Sequence, residues 1–216
     1  MQNKFSTKKH RLSRQSPYAY NNLVKNIILA ITGASGAPFG VRLLEELLKT
    51  AAVHLIISSN TFPIIADETG HDWTGDTESK LRREFGAETL YYYEDKNMEA
   101  PIASGSFKTD GMLVVPCSMK TLSGIANGYA NNLIERAADV TLKEGRHLLL
   151  SPREMPFSAI HLENMLKLAR LGVTIAPPVA AFYHHPKNLE AMIDFIIGKI
   201  LDSFGIGHAL FKQWGS

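Results

Sequence analysis

The 216-residue chain has a single cysteine, Cys117, so no internal disulfide can form and no cysteine-based metal cluster is available. Long apolar runs are missing as well; nothing approaches the ~20 residues that a membrane-spanning helix requires. The G-x-G-x-x-G spacing of dinucleotide sites and the lysine that closes a P-loop are both absent, which argues against NAD and ATP. A dinucleotide fold also places Asp or Glu about 20 residues beyond its glycines to hold the adenosine ribose. Here the second candidate strand ends in Ser58 and Ser59 instead. Acidic residues are lacking from residues 1–24, which carry Lys4, Lys8, Lys9, Arg11 and Arg14. Taking those five charges from the formal net charge of +2 leaves about −3 for residues 25–216, a poor general surface for nucleic acid. Residues 1–24 also lack the apolar centre of a secretory signal and read as a basic, disordered extension, with an organelle transit peptide as the alternative. A cytoplasmic protein with no membrane span is expected.

What is present is an alternation of strands and helices. With 45% apolar residues, the stretch 25–216 can build one substantial core and is expected to be a single domain. Apolar runs at 25–31, 53–57, 111–115, 147–150 and 173–176 read as strands, with a further edge strand at 90–93. Helical spacing follows Pro38, recurs over 62–68, 122–126 and 132–143, opens at Ser158 and closes at Gly172, and returns from Leu189 to Phe204. A helical turn is expected over 80–85. Parallel strands need crossover connections, so the pattern implies an α/β, three-layer sandwich with a mostly parallel sheet, flavodoxin-like or Rossmann-like.

In such sheets ligands bind beyond the carboxyl ends of the strands, where backbone amides open the next helix. Two loops fit that place. Thr32-Gly33-Ala34-Ser35-Gly36-Ala37 follows the first strand, and Pro116-Cys117-Ser118-Met119-Lys120-Thr121 follows an apolar one. Both look ready for an anion, and a mononucleotide suits them better than a dinucleotide; a Gly-Ala-Ser-Gly turn also serves simply to pack a strand against a helix. Candidate cations are Lys120, Arg136, Lys143, Arg153 and Lys199, and candidate hydroxyls are Ser104, Ser106, Ser118 and Thr121. Arg136 and Lys143 are seven apart on one helix, although Asp139 is placed to pair with Lys143 at i+4. Arg153 sits in a loop just after a strand, where its fork of donors would face the crevice. Glu68 and Glu154 are candidates for proton transfer, or simply solvated. Tyr183-His184-His185-Pro186 reads as a turn; adjacent histidines diverge, and no third metal ligand stands nearby.

Taken in order, Thr32 to Ala37, Ala103-Ser104-Gly105-Ser106, Pro116 to Ser123, Asn132 to Val140, Pro152-Arg153-Glu154-Met155-Pro156 and Phe182-Tyr183-His184 closely resemble the UbiX-type flavin prenyltransferases, once called hydroxybenzoate carboxy-lyases. The resemblance spans about residues 25–214. It implies transfer of a dimethylallyl group from dimethylallyl monophosphate to N5 and C6 of reduced FMN, giving prenylated FMN for a UbiD-type decarboxylase. It further implies a homododecamer with FMN between subunits. By position, Gly33, Ala34, Ser35, Ser58, Ser118, Met119, Lys120, Thr121 and Arg153 would bind FMN. Tyr183 and Lys199 would hold the dimethylallyl phosphate, with Ser104 among its hydroxyl donors and Arg136, Lys143 and Glu154 near it. Glu68, Ser35, Glu154 or the departing phosphate would take the proton lost at ring closure. No Asp-Asp pair occurs, so the magnesium clamp of diphosphate prenyltransferases is missing and metal-independent chemistry is expected. Two departures stand out: Lys199 replaces the arginine of many relatives, losing its bidentate fork, and Gly145 interrupts the charged run after Glu144. The rivals are an FMN-dependent decarboxylase of aromatic acids or of the peptidyl-cysteine type, and a non-catalytic flavin carrier. The peptidyl-cysteine enzymes carry a Pro-Ala-Ser-Ala-Asn-Thr-like loop where this chain has Pro116 to Thr121.

Overall fold

The computed structural model describes residues 25–212; the expected basic extension over 1–24 lies outside them. Six strands form one sheet in the order β3-β2-β1-β4-β5-β6, and every neighbouring pair is parallel. They are β1 (Lys25–Ile31), β2 (Ala51–Ile57), β3 (Leu90–Glu94), β4 (Gly111–Cys117), β5 (His147–Pro152) and β6 (Thr174–Ile175). The helices are α1 (Ala37–Leu48), α2 (Phe62–Thr69), α3 (Thr77–Phe85), α4 (Met119–Ala126), α5 (Leu133–Lys143), α6 (Ala159–Arg170) and α7 (Leu189–Ser203). Among the described residues, none of them is long and apolar enough to cross a membrane.

Strand β1 shows why the sheet is covered on both faces. Side chains alternate along a strand, so Ile27, Leu29 and Ile31 join the core shared with α1 and α7, whereas Ile28 and Ala30 join the core shared with α4 and α5. Each fully buried Leu or Ile contributes about 1.5–3 kcal/mol relative to an exposed one. Gly40 lets α1 lie close over β4, because a Cβ there would stand 2.6 Å from the Val115 carbonyl oxygen.

The sequence boundaries shift where caps or ladders extend an element. Asp76 accepts from the Ser79 amide, so the turn expected at 80–85 is a nine-residue helix from Thr77. Ser118 caps α4, which therefore begins three residues before Leu122. Strand β5 continues through Ser151 and Pro152, against the expectation of a loop there, and Pro152 pairs with Cys117 past a register shift that follows Val114. Asn132 caps α5, and Ser158 and His161 form a reciprocal capping box on α6.

One buried polar side chain makes stability depend on pH. His54 on β2 is 3% exposed, stacks on Tyr91 and meets the Tyr93 hydroxyl at 3.1 Å through Nδ1. Burial pushes its pKa down from 6.5 to about 4. The folded state therefore keeps His54 neutral where the unfolded chain takes a proton, so its contribution is full above about pH 6.5 and is lost as pH falls toward 4. Urea unfolding across that range should show falling stability, and His54→Phe should flatten the slope; an equal slope in the variant would assign the effect to other groups.

Candidate functional site

The order of strands reverses between β1 and β4, and the two anion-ready loops leave the sheet there. Thr32, fully buried, joins them. Its hydroxyl donates to the Pro116 carbonyl at 2.9 Å and accepts from the Ser118 amide at 2.8 Å, while its own amide donates to the same carbonyl at 3.2 Å. Sequence reasoning gave Thr32 no role beyond its place in the motif. The usable signal was a hydroxyl one position past the end of the strand, where no ladder partner remains.

The loops differ in what they offer. Gly36 has φ of 105°, a conformation glycine adopts without strain, and starts α1. Its amide and that of Ala37 each donate to Glu68 Oε2 at 2.8 Å. The expected opening for an anion at α1 is therefore filled by the chain's own carboxylate, and Glu68 is neither simply solvated nor free of structural work. At α4 the Ser118 hydroxyl accepts from the Thr121 amide at 3.3 Å and donates to the Thr121 hydroxyl at 3.1 Å. Helix geometry leaves the amides of Met119 and Lys120 without an intrahelical acceptor, so this loop retains donors for an anion. Ser35 and Gly33 remain exposed, and Ser58, whose amide donates to the Ile31 carbonyl at 3.0 Å, ends β2 on the same edge.

Arg153 follows β5 at this edge and is anchored by its amide to the Cys117 carbonyl at 3.1 Å. Its Nε is buried without a hydrogen-bond partner, and no carboxylate pairs with it among the described residues. A buried, unpaired guanidinium nitrogen is costly unless a ligand completes it. Arg153 and Glu154 line a groove of about 390 Å³ walled by prolines and Phe157. That groove shares Pro177 and Val179 with a smaller one containing Lys199. Glu154 Oε1 accepts from the Met155 amide at 3.0 Å, and Lys199 lies 3.4 Å from Asp202. Tyr183 packs edge-on against Phe195, which also lines the Lys199 groove; His184 stacks on the same ring at 4.1 Å, with both ring nitrogens buried and unpartnered. Among the described residues no three His, Cys, Asp or Glu side chains group to hold a metal ion. Cys117, buried beside the crevice, has its thiol pushed well up in pKa by desolvation.

Lys143 stands apart from this edge. Helix α5 runs back across the sheet, so its last residue, Lys143, lies toward the amino end of β5, and Arg153 follows the carboxyl end. Six strand residues separate those ends by ~20 Å at ~3.3 Å each. Lys143 has no hydrogen bond or ion pair among the described residues, and the pairing expected with Asp139 does not form. Asp139 instead meets Arg136 at 3.1 Å, because the shorter i+3 reach satisfies the fork. Arg136 Nε also donates to the Ala103 carbonyl at 3.0 Å, next to Ser104, whose hydroxyl lies 2.9 Å from that of Ser106. Ser104, Arg136 and Lys143 thus belong to the α5 side of a single chain.

A parallel α/β sheet with donor-rich loops at its switch point and an unpaired arginine beside them suits an anionic nucleotide, and the chain matches the Flavoprotein family over residues 15–201. It is 51% identical over 190 residues to the flavin prenyltransferase UbiX of Methanocaldococcus jannaschii, covering 88% of this chain and 98% of that one. The crystal structure of AnUbiX (PadA1) in complex with FMN and dimethylallyl pyrophosphate superposes with a TM-score of 0.82 at 42% identity, covering 90% of this chain and 99% of that one. A dodecameric FMN-dependent UbiX-like decarboxylase from Escherichia coli O157:H7 gives a TM-score of 0.80 at 44% identity over 88% of this chain and all of that one, 100%. The chain belongs to the UbiX flavin prenyltransferase family.

Thr32→Val keeps the shape but leaves the Ser118 amide without its acceptor, while the Pro116 carbonyl keeps the backbone amide of residue 32, so urea unfolding should show a loss of ~1–3 kcal/mol. Thr32→Ser should retain most of the stability. Unchanged stability in Thr32→Val with a loss in Thr32→Ser would mean that the methyl group, not the hydroxyl, holds the loops.

Proposed function

We propose that this chain transfers a dimethylallyl group from dimethylallyl monophosphate to reduced FMN, forming prenylated FMN for a UbiD-type decarboxylase. The observation that carries the reading is the buried, unpartnered Nε of Arg153 beside the open α4 amides, in a chain of this family. Those donors fit the negative charge of FMN, with Gly33, Ala34, Ser35, Ser58 and the run Ser118 to Thr121 as its cradle. When bound, reduced FMN supplies electron-rich N5 and C6 positions as prenyl acceptors.

The residues of the chain then have separable tasks. Breaking the allylic C–O bond leaves both electrons on the phosphate, so Lys199, Lys143 and Arg136 neutralise that charge and Tyr183 and Ser104 donate hydrogen bonds to it. The proline and phenylalanine walls of the Arg153 groove exclude water from the carbon left electron-poor. Glu154, in that groove, accepts the proton lost at ring closure. Glu68 is engaged as the cap of α1, which makes it a positioning residue in this scheme.

Because Lys143 and Arg153 lie at opposite ends of β5, one copy cannot bring every assigned cation to one substrate. This supports a site shared between copies, and the E. coli relative is dodecameric. Exposed Met155, Phe157, Ile160 and Leu166 offer apolar area for such contacts.

Incubating the full-length protein with reduced FMN and dimethylallyl monophosphate, without added metal, should yield a flavin heavier by one prenyl unit by mass spectrometry. Arg153→Met should weaken FMN binding by about tenfold or more, the scale of a lost charged hydrogen bond. Lys143→Ala and Glu154→Gln should still bind FMN but lose product. An unchanged flavin would favour a carrier, and release of carbon dioxide from an aromatic acid by the protein alone would favour a decarboxylase.

A further inference from the structure

Arg146, between α5 and β5, has no place in the reading so far, yet its guanidinium makes three hydrogen bonds to one loop. Its Nη2 donates to the Gly105 carbonyl at 2.7 Å, and its Nη1 donates to the Phe107 carbonyl at 2.9 Å and to the Thr109 hydroxyl at 3.2 Å. Only 11% of the side chain is exposed, and Glu144 approaches Nη2 at 3.9 Å. Glu144 also packs beneath Gly105, where an added Cβ would come within 2.2 Å of Oε1. Phe107 turns inward, packing against the core and meeting the His54 ring edge-on at 5.1 Å. Ser104 and Ser106 are left exposed, with their hydroxyls hydrogen-bonded to each other.

We propose that Arg146 is a positioning residue for the dimethylallyl phosphate: it fixes the backbone of residues 105–109 so that the Ser104 and Ser106 hydroxyls form a preset pair on the α5 side of the site. The inference rests on the prenyl-transfer reading and adds Ser106 and Arg146 to it. A short loop without its own ladder would otherwise sample many conformations, and ordering it on binding would weaken substrate affinity. The acceptors are divided between two guanidinium nitrogens, a spread that suits a planar fork and that the single nitrogen of an ammonium does not reproduce.

The test uses the full-length protein and compares wild type, Arg146→Met, Arg146→Lys, the Ser104→Ala/Ser106→Ala pair and the combination of that pair with Arg146→Met. Arg146→Met should raise KM for dimethylallyl monophosphate by about tenfold, the equivalent of one hydrogen bond's net worth, with kcat and FMN affinity changed far less. Arg146→Lys should not restore KM. The serine pair should show the same rise, and the combined variant should show no further rise, because the arginine acts through the serines. A KM within about twofold of wild type in Arg146→Met, or additive effects in the combination, would overturn the assignment. If Arg146→Met does not assemble, Arg146→Lys takes its place in the same comparisons, with the same outcomes deciding. A wild type that makes no prenylated flavin would overturn the prenyl-transfer reading, and the phosphate role of Arg146 with it.

Discussion

The Thr32 hydroxyl, shared between the Pro116 carbonyl and the Ser118 amide, is the contact on which the crevice depends. The ladder between β1 and β4 stops at Ala30 and Val114, and beyond it Thr32 joins the two loops through its hydroxyl and its amide. Beyond those residues the chains would diverge into the helices on either side. A buried hydroxyl satisfied in both roles keeps them together, and the low local dielectric that strengthens such bonds also makes their loss expensive. The positions of Ser118 and Thr121 follow from it.

The two helix termini at the crevice illustrate how a fold can offer the same motif twice and use it differently. One is closed by Glu68 from α2, which fixes the Gly33 to Gly36 turn; the other is capped only by Ser118 and keeps donors outward. Positive charge in the crevice is therefore concentrated on the α4 and β5 side, where Arg153 stands without a carboxylate. Across the sheet, the last turn of α5 carries Lys143, which one chain cannot bring to Arg153. The division follows from the topology of a parallel sheet, in which each helix returns the chain to the amino edge.

Much of this was legible in the sequence. The strand at β1, the donor-rich loops that follow β1 and β4, and the place of Arg153 after a strand all follow from local pattern, because neighbours in sequence decide them. What escaped was non-local. Nothing near Glu68 announces that its carboxylate will close a helix 31 residues earlier, and nothing near Arg146 points to a loop 41 residues back. The expected Lys143–Asp139 pair failed for a related reason: periodicity names the residues within reach, and Arg136, tethered to the Ala103 carbonyl, was already closer. Strand β5 ran longer than its apolar run because pairing with Cys117, a tertiary fact, extended it.

The sealed thiol of Cys117 has a chemical consequence of its own. Reduced flavins exposed to air generate peroxide, and sulfur oxidation proceeds through the thiolate at accessible sites. Here the chain's one sulfhydryl adjoins the crevice but is fully buried, and desolvation keeps it protonated. The by-product of a leaking cofactor thus meets no sulfenate-forming group at the crevice, and a protein that handles electron-rich flavin can do so without a thiol-reducing system to repair it.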